Sequence, residues 1–188
     1  MPDLVLLLSG PIASGKSTLA KSLVERHQFR AIRSGQYLQA MAVARGIQIN
    51  RLALQELGDG LDEATDFGWI VQDVAGPLIA SDEEQSRWLM DSVRKERQVE
   101  HFRNRFGRKV LHVHLSPPDD QLRARYELRR LTPDSFEIYT TYEDAIAHQN
   151  ENSSRSLGPI ADLNLGGLSA EVILELVLGG IASKMKGC

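Results

Sequence analysis

Gly10-Pro11-Ile12-Ala13-Ser14-Gly15-Lys16-Ser17 carries the spacing G-x-x-x-x-G-K-S. Before it, Leu4-Val5-Leu6-Leu7-Leu8 is a short apolar run ended by Ser9-Gly10, the pattern of a buried strand. After it, Leu19, Ala20, Leu23 and Val24 recur at helical spacing through Arg26. Strand, glycine-rich turn and helix, in that order, are the context in which this octapeptide cradles phosphate. Glycine lets the backbone curl so that successive N–H groups face one concavity, and the helix N-terminus adds partial positive charge. Gly10, Ala13, Ser14, Gly15, Lys16, Ser17 and Thr18 are therefore the expected nucleotide contacts. Lys16 is expected to reach the β- and γ-phosphates, and the Ser17 hydroxyl to complete a magnesium shell. ATP and Mg2+ are the expected ligands.

Outward from the loop, strand-like and helix-like segments alternate. Strands are expected at Phe29–Arg33, Trp88–Met90, Lys109–Leu115 and Ala161–Leu165. Helical patterns fall at Gln36–Arg45, Arg51–Glu63, Asp66–Ala80, Lys95–Phe106, Pro118–Arg130, Tyr139–Asn150 and Ser169–Leu178. This alternation predicts an α/β fold, a parallel sheet of about five strands covered by helices on both faces. With 42% hydrophobic residues and no linker or repeat, residues 1–188 read as one domain.

A net charge of −3 supplies no global field toward free nucleic acid or an anionic membrane. The lone cysteine, Cys188, leaves no pair for an internal disulfide or a Cys-x-x-Cys metal site. The first apolar run is too short for a signal peptide, and no run approaches a membrane span. The expectation is a cytoplasmic monomer or homodimer acting on a small molecule.

A phosphate loop alone does not choose between kinase, GTPase and switch. The Asn-Lys-x-Asp base-reading motif of Ras-type GTPases does not occur. Asp91, ending the third strand, is followed by Ser92 and not by the glutamate a water-activating ATPase places there. Eleven of the 22 Lys and Arg residues lie between Arg94 and Arg130. Arg123, Arg125, Arg129 and Arg130 fall on less than three turns of one helix, with Arg125 and Arg129 four residues apart on one face. Forked guanidinium donors suit phosphoryl oxygens; a solvated face paired to Glu127 is the alternative.

On these residues the chain resembles the nucleoside and nucleotide kinase family along nearly its whole length. The matches are the loop, Ser34-Gly35-Gln36-Tyr37-Leu38-Gln39 after the second strand, Asp91-Ser92-Val93-Arg94, and the arginine-rich segment after the fourth strand. The Ser34 segment departs from the family pattern Ser/Thr-Gly-Asp…Leu-Arg, because Gln36 and Gln39 replace the acid and the arginine. Tyr142, His148, Glu151 and Ala161-Asp162 also resemble kinase-like domains found beside adenylosuccinate synthetase-like enzymes.

The resemblance implies strand order 2-3-1-4-5, a helical acceptor lobe over about residues 34–80 and a short lid over about 123–138. It implies transfer of the γ-phosphoryl group to a nucleoside-type acceptor, foremost a nucleoside or deoxynucleoside monophosphate. A nucleoside, dephospho-coenzyme A, a modified nucleotide or a nucleotide in DNA remain alternatives, as does a regulatory domain that binds ATP without transferring it.

Lys16, Asp91, Arg125 and Arg129 are the expected catalytic residues, with Ser17 and Asp91 at the metal. Asp91 is expected to hold magnesium through water or to accept the acceptor's proton, and its alternative is a cap on the helix near Lys95. Ser34, Gly35, Tyr37, Arg94 and Arg123 are the expected acceptor contacts; a partly buried packing position is an equal alternative for Tyr37, and a surface position is the alternative for Arg94. Arg33, Arg45 and Arg51 flank the segment that lacks its arginine and could supply its charge, and Gln55, Asp59 and Asp62 lie on a helix that would border the same pocket; solvated surface positions are the favoured alternative for all six. His112 and His114 alternate with apolar residues and read as sheet-packing side chains more readily than as metal ligands.

Overall fold

The computed structural model describes residues 2–131, 141–147 and 149–186. The chain runs β1 (Leu4–Ser9), α1 (Lys16–Arg26), β2 (Arg30–Ala31), α2 (Ser34–Ala44) and α3 (Arg51–Thr65). A π-helical turn, Ile70–Ala75, leads into α4 (Gly76–Ala80) and β3 (Arg87–Met90). Then come α5 (Glu96–Phe106), β4 (Val110–Leu115), α6 (Asp119–Arg130), α7 (Tyr142–Ala147), α8 (Gln149–Arg155), β5 (Leu163–Leu165) and α9 (Ala170–Lys186).

All six residues of β1 are buried, because the strand is covered on both faces. Leu4, Leu6 and Leu8 pack with Leu19 and Leu23 of α1 and Ile173, Val177 and Ile181 of α9. Val5 and Leu7 point the other way, into a cluster with Trp88 and Met90 of β3 and Val99 and Phe102 of α5. The five strands are parallel in the order β2-β3-β1-β4-β5, as the resemblance implied. Chain direction across the sheet reverses at β1, between β3 and β4. The carboxyl ends of these three strands therefore border the crevice where α/β folds of this kind bind ligands.

Four local departures from the expected elements stand out. β2 pairs over only two residues, Arg30 and Ala31, with the Ile32 N–H still donating to the Leu89 carbonyl at 2.7 Å. α2 starts at Ser34, so the Ser34-Gly35 pair opens a helix where a strand end was expected. The expected helix over 66–80 is broken at its start, where Asp66 and Phe67 adopt positive φ of 48° and 63°. That turn lets Trp69 enter the core and donate its indole N–H to Asp62 Oδ1 at 2.8 Å. α9 runs to Lys186, through Gly179-Gly180. Gly180 lies against β5, where a Cβ would stand 2.7 Å from Leu163 Cδ1, so the glycine serves close packing and not a stop.

Residues 132–140 and His148, which include much of the expected lid and the start of the expected Tyr139 helix, lie outside the described residues, as does Cys188. Among the described residues no helix is long and apolar enough to cross a membrane.

Candidate active site

The loop leaves β1 through Gly10 at φ 137°, where a Cβ would fall 2.3 Å from the Leu115 carbonyl oxygen at the end of β4. Only glycine allows that approach, and it sets the loop directly against the neighbouring strand end. Ala13 and Gly15 take left-handed φ of 61° and 98°, and the Leu19 N–H bonds to the Gly15 carbonyl as α1 begins. α1 has no side-chain cap and no acidic residue in its first turn. By contrast, Asn50 caps α3 through the Ala53 N–H, and Asp119 and Asp120 sit in the first turn of α6. A helix start without its own acceptors keeps its N–H groups for an anion.

Lys16 folds back across this loop. Its Nζ donates to the carbonyls of Gly10 at 2.6 Å and Pro11 at 2.8 Å, and to Ser14 Oγ at 3.2 Å. Burial lowers its pKa to about 8, opposed by the carboxylates of Glu151 and Asp91 and reinforced by Arg94 and Arg129. The ammonium is thus poised in a desolvated place where a polyphosphate would strengthen it.

Three cavities meet at this point. A central one of about 510 Å³ is lined by the loop with Ser17 and Thr18, and by Asp91, Arg94, Arg125, Arg129, Glu151 and Ser154. A groove of about 630 Å³ adjoins it and is lined by Ser14, Gly15, Thr18, Leu115, Leu168 and Arg125. On the other side lies a cavity of about 330 Å³ between α2, α3 and the end of β3, lined by Ser34, Gly35, Gln55, Asp59, Asp62, Arg94 and Lys95. Arg125 belongs to the first two cavities and Arg94 to the first and third. The two arginines stand at the passages from the phosphate loop to its neighbours.

The structure brings Lys16, Ser17, Asp91, Arg94, Arg125 and Arg129 to one cavity. Asp91 does not cap α5. That role belongs to Gln98, whose Oε1 accepts the Arg94 N–H at 3.0 Å and the Lys95 N–H at 3.3 Å. Ser34 and Gly35 reach the third cavity together with Gln55, Asp59 and Asp62.

Two expected acceptor contacts lie elsewhere. Arg123 precedes Arg125 by two positions and therefore faces away from it around the helix. It pairs with Glu143, and its guanidinium lies 5.0 Å over the Tyr142 ring, outside all three cavities. Tyr37 stacks on Trp69 with ring centroids 5.7 Å apart and faces a separate groove beside β2 that also holds Arg33. Packing against a core indole turns it from the third cavity.

Asp62 is less available than its position in the third cavity suggests. Its carboxyl is raised above the ordinary carboxylate range, mainly by burial, against the pull of hydrogen bonds from Trp69 and Gln98. Beneath the loop, Ser9 Oγ bonds His112 Nε2 at 2.7 Å and His114 Nδ1 at 2.8 Å. Both histidines are buried on one face of β4, and burial lowers each pKa to about 4. Among the described residues no three His, Cys, Asp or Glu side chains converge as a metal cluster.

Sequence reasoning gave little weight to Glu151 and none to Ser154. Glu151 Oε2 accepts the Ile12 N–H at 2.7 Å, and Ser154 Oγ donates to the Gly10 carbonyl at 2.8 Å. The one signal for Glu151 was its place in the pattern Tyr142…His148…Glu151.

With this geometry in place, comparison with known proteins defines the class. Residues 6–144 match the family described as "AAA domain", and the chain belongs to that family. Its fold is that of a P-loop NTPase, a five-stranded parallel sheet flanked by helices. A gluconokinase from Sinorhizobium meliloti 1021 superposes with TM-score 0.56 at 13% identity, over 98% of this chain and 95% of that one. The protein TT1252 from Thermus thermophilus superposes with TM-score 0.58 at 16% identity, over 98% of both chains. A sugar kinase from Janibacter sp. HTCC2649 gives 0.52 at 17% identity, over 95% of this chain and 94% of that one. At these identities the likeness is one of fold.

Proposed function

We propose that the protein is an ATP- and magnesium-dependent phosphotransferase that moves the γ-phosphoryl group to a small acceptor of nucleoside type, foremost a nucleoside or deoxynucleoside monophosphate. The observation that carries the reading is the central cavity, where the loop, Lys16, the strand-end Asp91 and two arginines of α6 converge. ATP lies with its phosphates on the loop and its base in the groove between Arg125 and Leu168. The acceptor enters from the cavity bounded by α2 and α3, with Arg94 between it and the γ-phosphate. In this reading residues 34–80 form the acceptor lobe and α6 carries the lid.

Transfer of this kind needs positioning and charge stabilisation more than covalent chemistry. Lys16 and the first-turn N–H groups of α1 hold the phosphates. Arg125 and Arg129 neutralise charge as it spreads over the transferring group. The bond from phosphorus to the bridging oxygen of ADP breaks, a bond to the acceptor oxygen forms, and the acceptor's proton passes to Asp91 or its water. Magnesium fits Ser17 and Asp91, because both line the cavity and the ion takes one or two protein oxygens beside water and phosphate. When bound, it would offset the charge of the phosphates.

A second reading, a sugar-acid or polyol acceptor, has its own support. The acceptor cavity is bordered by carboxylates and amides, and the helix that opens with Ser34-Gly35 carries Gln39 where an arginine would meet an acceptor phosphate. The structural neighbours titled gluconokinase and sugar kinase point the same way. One experiment decides: conversion of ATP to ADP against all ribo- and deoxynucleoside monophosphates, nucleosides, dephospho-coenzyme A, sugars and sugar acids. Turnover with a nucleotide supports the first reading, and turnover with only sugars or sugar acids replaces it. A protein that binds ATP and phosphorylates none of them is a nucleotide-binding domain without transfer.

A further inference from the structure

Four residues of α8 reach three separate parts of the site. Glu151 Oε2 accepts the Ile12 N–H at 2.7 Å. Lys95 Nζ, from the acceptor side, donates to Ser153 Oγ at 3.2 Å. Ser154 Oγ, buried, donates to the Gly10 carbonyl at 2.8 Å. Arg155 donates to Asp119 Oδ1 in the first turn of α6 at 3.1 Å, and to Tyr142 Oη at the start of α7 at 2.7 Å. One short helix therefore ties the phosphate loop, the segment after β3 and the root of the arginine helix together.

Glu151 is the charged member of this set that touches the loop backbone. A carboxylate accepting an N–H makes a stronger bond than a neutral acceptor, and here it is half-buried inside the cavity that also holds Lys16. The Ile12 amide is thereby satisfied by protein. With Ser154 and Lys16 on the Gly10 carbonyl and Lys16 on that of Pro11, residues 10–12 are held by side chains. The left-handed turns at Ala13 and Gly15 follow directly.

We propose that Glu151 is a positioning residue for phosphoryl transfer. Through the Ile12 amide it fixes the first half of the phosphate loop to α8, so that the loop, the acceptor-side segment and the root of α6 keep one mutual pose. The inference rests on the transfer reading given above, because the pose matters when donor, acceptor and arginines must align. Misalignment of about an ångström costs turnover more than it costs binding.

Glu151→Gln and Glu151→Ala separate the effects. Glutamine keeps an oxygen that can accept the Ile12 N–H; alanine keeps nothing. The readouts are hydrogen exchange at the Ile12 amide, affinity for Mg·ATP, and kcat against KM. Glu151→Ala should speed exchange at Ile12 about tenfold or more, the loss expected for one charge-assisted bond. It should weaken ATP binding a few-fold and lower kcat further. Glu151→Gln should recover most of the exchange protection and most of kcat. Unchanged exchange in Glu151→Ala, or a glutamine variant as impaired as the alanine one, overturns the proposal.

If Glu151→Ala does not fold, Ser154→Ala tests the same strut from the Gly10 side. Faster exchange across residues 10–13 there supports it, and an unchanged rate overturns it. The exchange readout needs no acceptor, so a failed transfer reading and a failed strut give different results. Wild type that transfers normally while Ile12 exchange ignores Glu151 leaves the enzyme reading standing and removes this role.

Discussion

Acidification should destabilise the fold well before the carboxylates are neutralised, through the two histidines under the loop. His112 and His114 are 0% and 2% exposed and share the Ser9 hydroxyl. Burial moves each from an ordinary value of 6.5 to about 4, helped for His112 by Arg103 and His114 and for His114 by Lys16. The unfolded chain therefore takes up protons below pH 6.5 that the folded chain refuses until about pH 4. More protons on the unfolded state means stability that is complete above pH 6.5 and is lost as pH falls toward 4. At about 1.4 kcal/mol per pH unit, each histidine accounts for roughly 3 kcal/mol across that window. That is a sizeable share of a typical folding stability of about 5–15 kcal/mol.

The assay is urea unfolding at pH 7, 6, 5 and 4.5, with His112→Gln and His114→Asn beside the wild type. Glutamine's terminal amide stands near the place of Nε2, and asparagine's near that of Nδ1, so each substitution can keep a hydrogen bond to Ser9 while removing the titration. Each variant should lose stability less steeply than wild type between pH 6.5 and 5, where ordinary carboxylates remain ionised. Parallel curves for variant and wild type would refute the reasoning, because the buried imidazoles would then not be the groups that refuse protons.

The remaining predictions concern transfer. Lys16→Ala should leave the melting temperature near that of wild type and lower turnover about 100- to 1,000-fold, the effect of about 3–4 kcal/mol lost from the transition state. Turnover at the wild-type level would remove Lys16 from the chemistry. Asp91→Asn removes charge at an exposed residue that caps no helix, so steady-state kinetics should show a sharp drop with little change in thermal stability. A loss of stability with activity preserved would reverse that assignment. Arg125→Ala and Arg129→Ala should each lower kcat more than they weaken ATP binding. They should also abolish the advantage of a bisubstrate analogue, two nucleosides joined by a polyphosphate bridge, over ATP; equal affinities throughout would count against a closing arginine helix.

What could be read from the chain divides along physical lines. β1, the loop and α1 were legible because a buried parallel strand, a G-x-x-x-x-G-K-S turn and an amphipathic helix each carry a periodic or compositional mark. The convergence of Asp91, Arg94, Arg125 and Arg129 followed from strand ends and helical spacing. Arg123 was misplaced although the same rule, spacing around α6, separates it from Arg125 by two positions. Clustering of charge in sequence outweighed the face. For Tyr37 the packing alternative is the one the structure shows, and nothing local announces that a core indole, brought in by the turn at Asp66 and Phe67, will stack on it. The partners of α8 were hidden for a related reason. Asn150-Glu151-Asn152-Ser153-Ser154 has the composition of a loop, and its bonds to Ile12 and Gly10 span 139 and 144 residues.

Net charge shows how a whole-chain quantity conceals a site. At −3 the protein has no field that would draw anions to it from afar. Yet the central cavity gathers Lys16, Arg94, Arg125 and Arg129 against Asp91 and Glu151. That local excess of cations sits beside an uncapped helix start. A phosphate group arriving there meets charge that the rest of the surface has cancelled at distance, so recognition acts at short range, through direct contact with the exposed arginines and the more buried Lys16. Short range also gives the two carboxylates their meaning. In the proposed reading Asp91 would hold a magnesium ion that arrives with the nucleotide, whereas Glu151 is already bonded to the loop amide and can hold the loop without leaving its place. On this division, raising ionic strength from low to physiological should change ATP affinity far less than neutralising Lys16 does. A comparable loss from salt alone would show that the cavity's cations act at long range through solvent and not by direct contact.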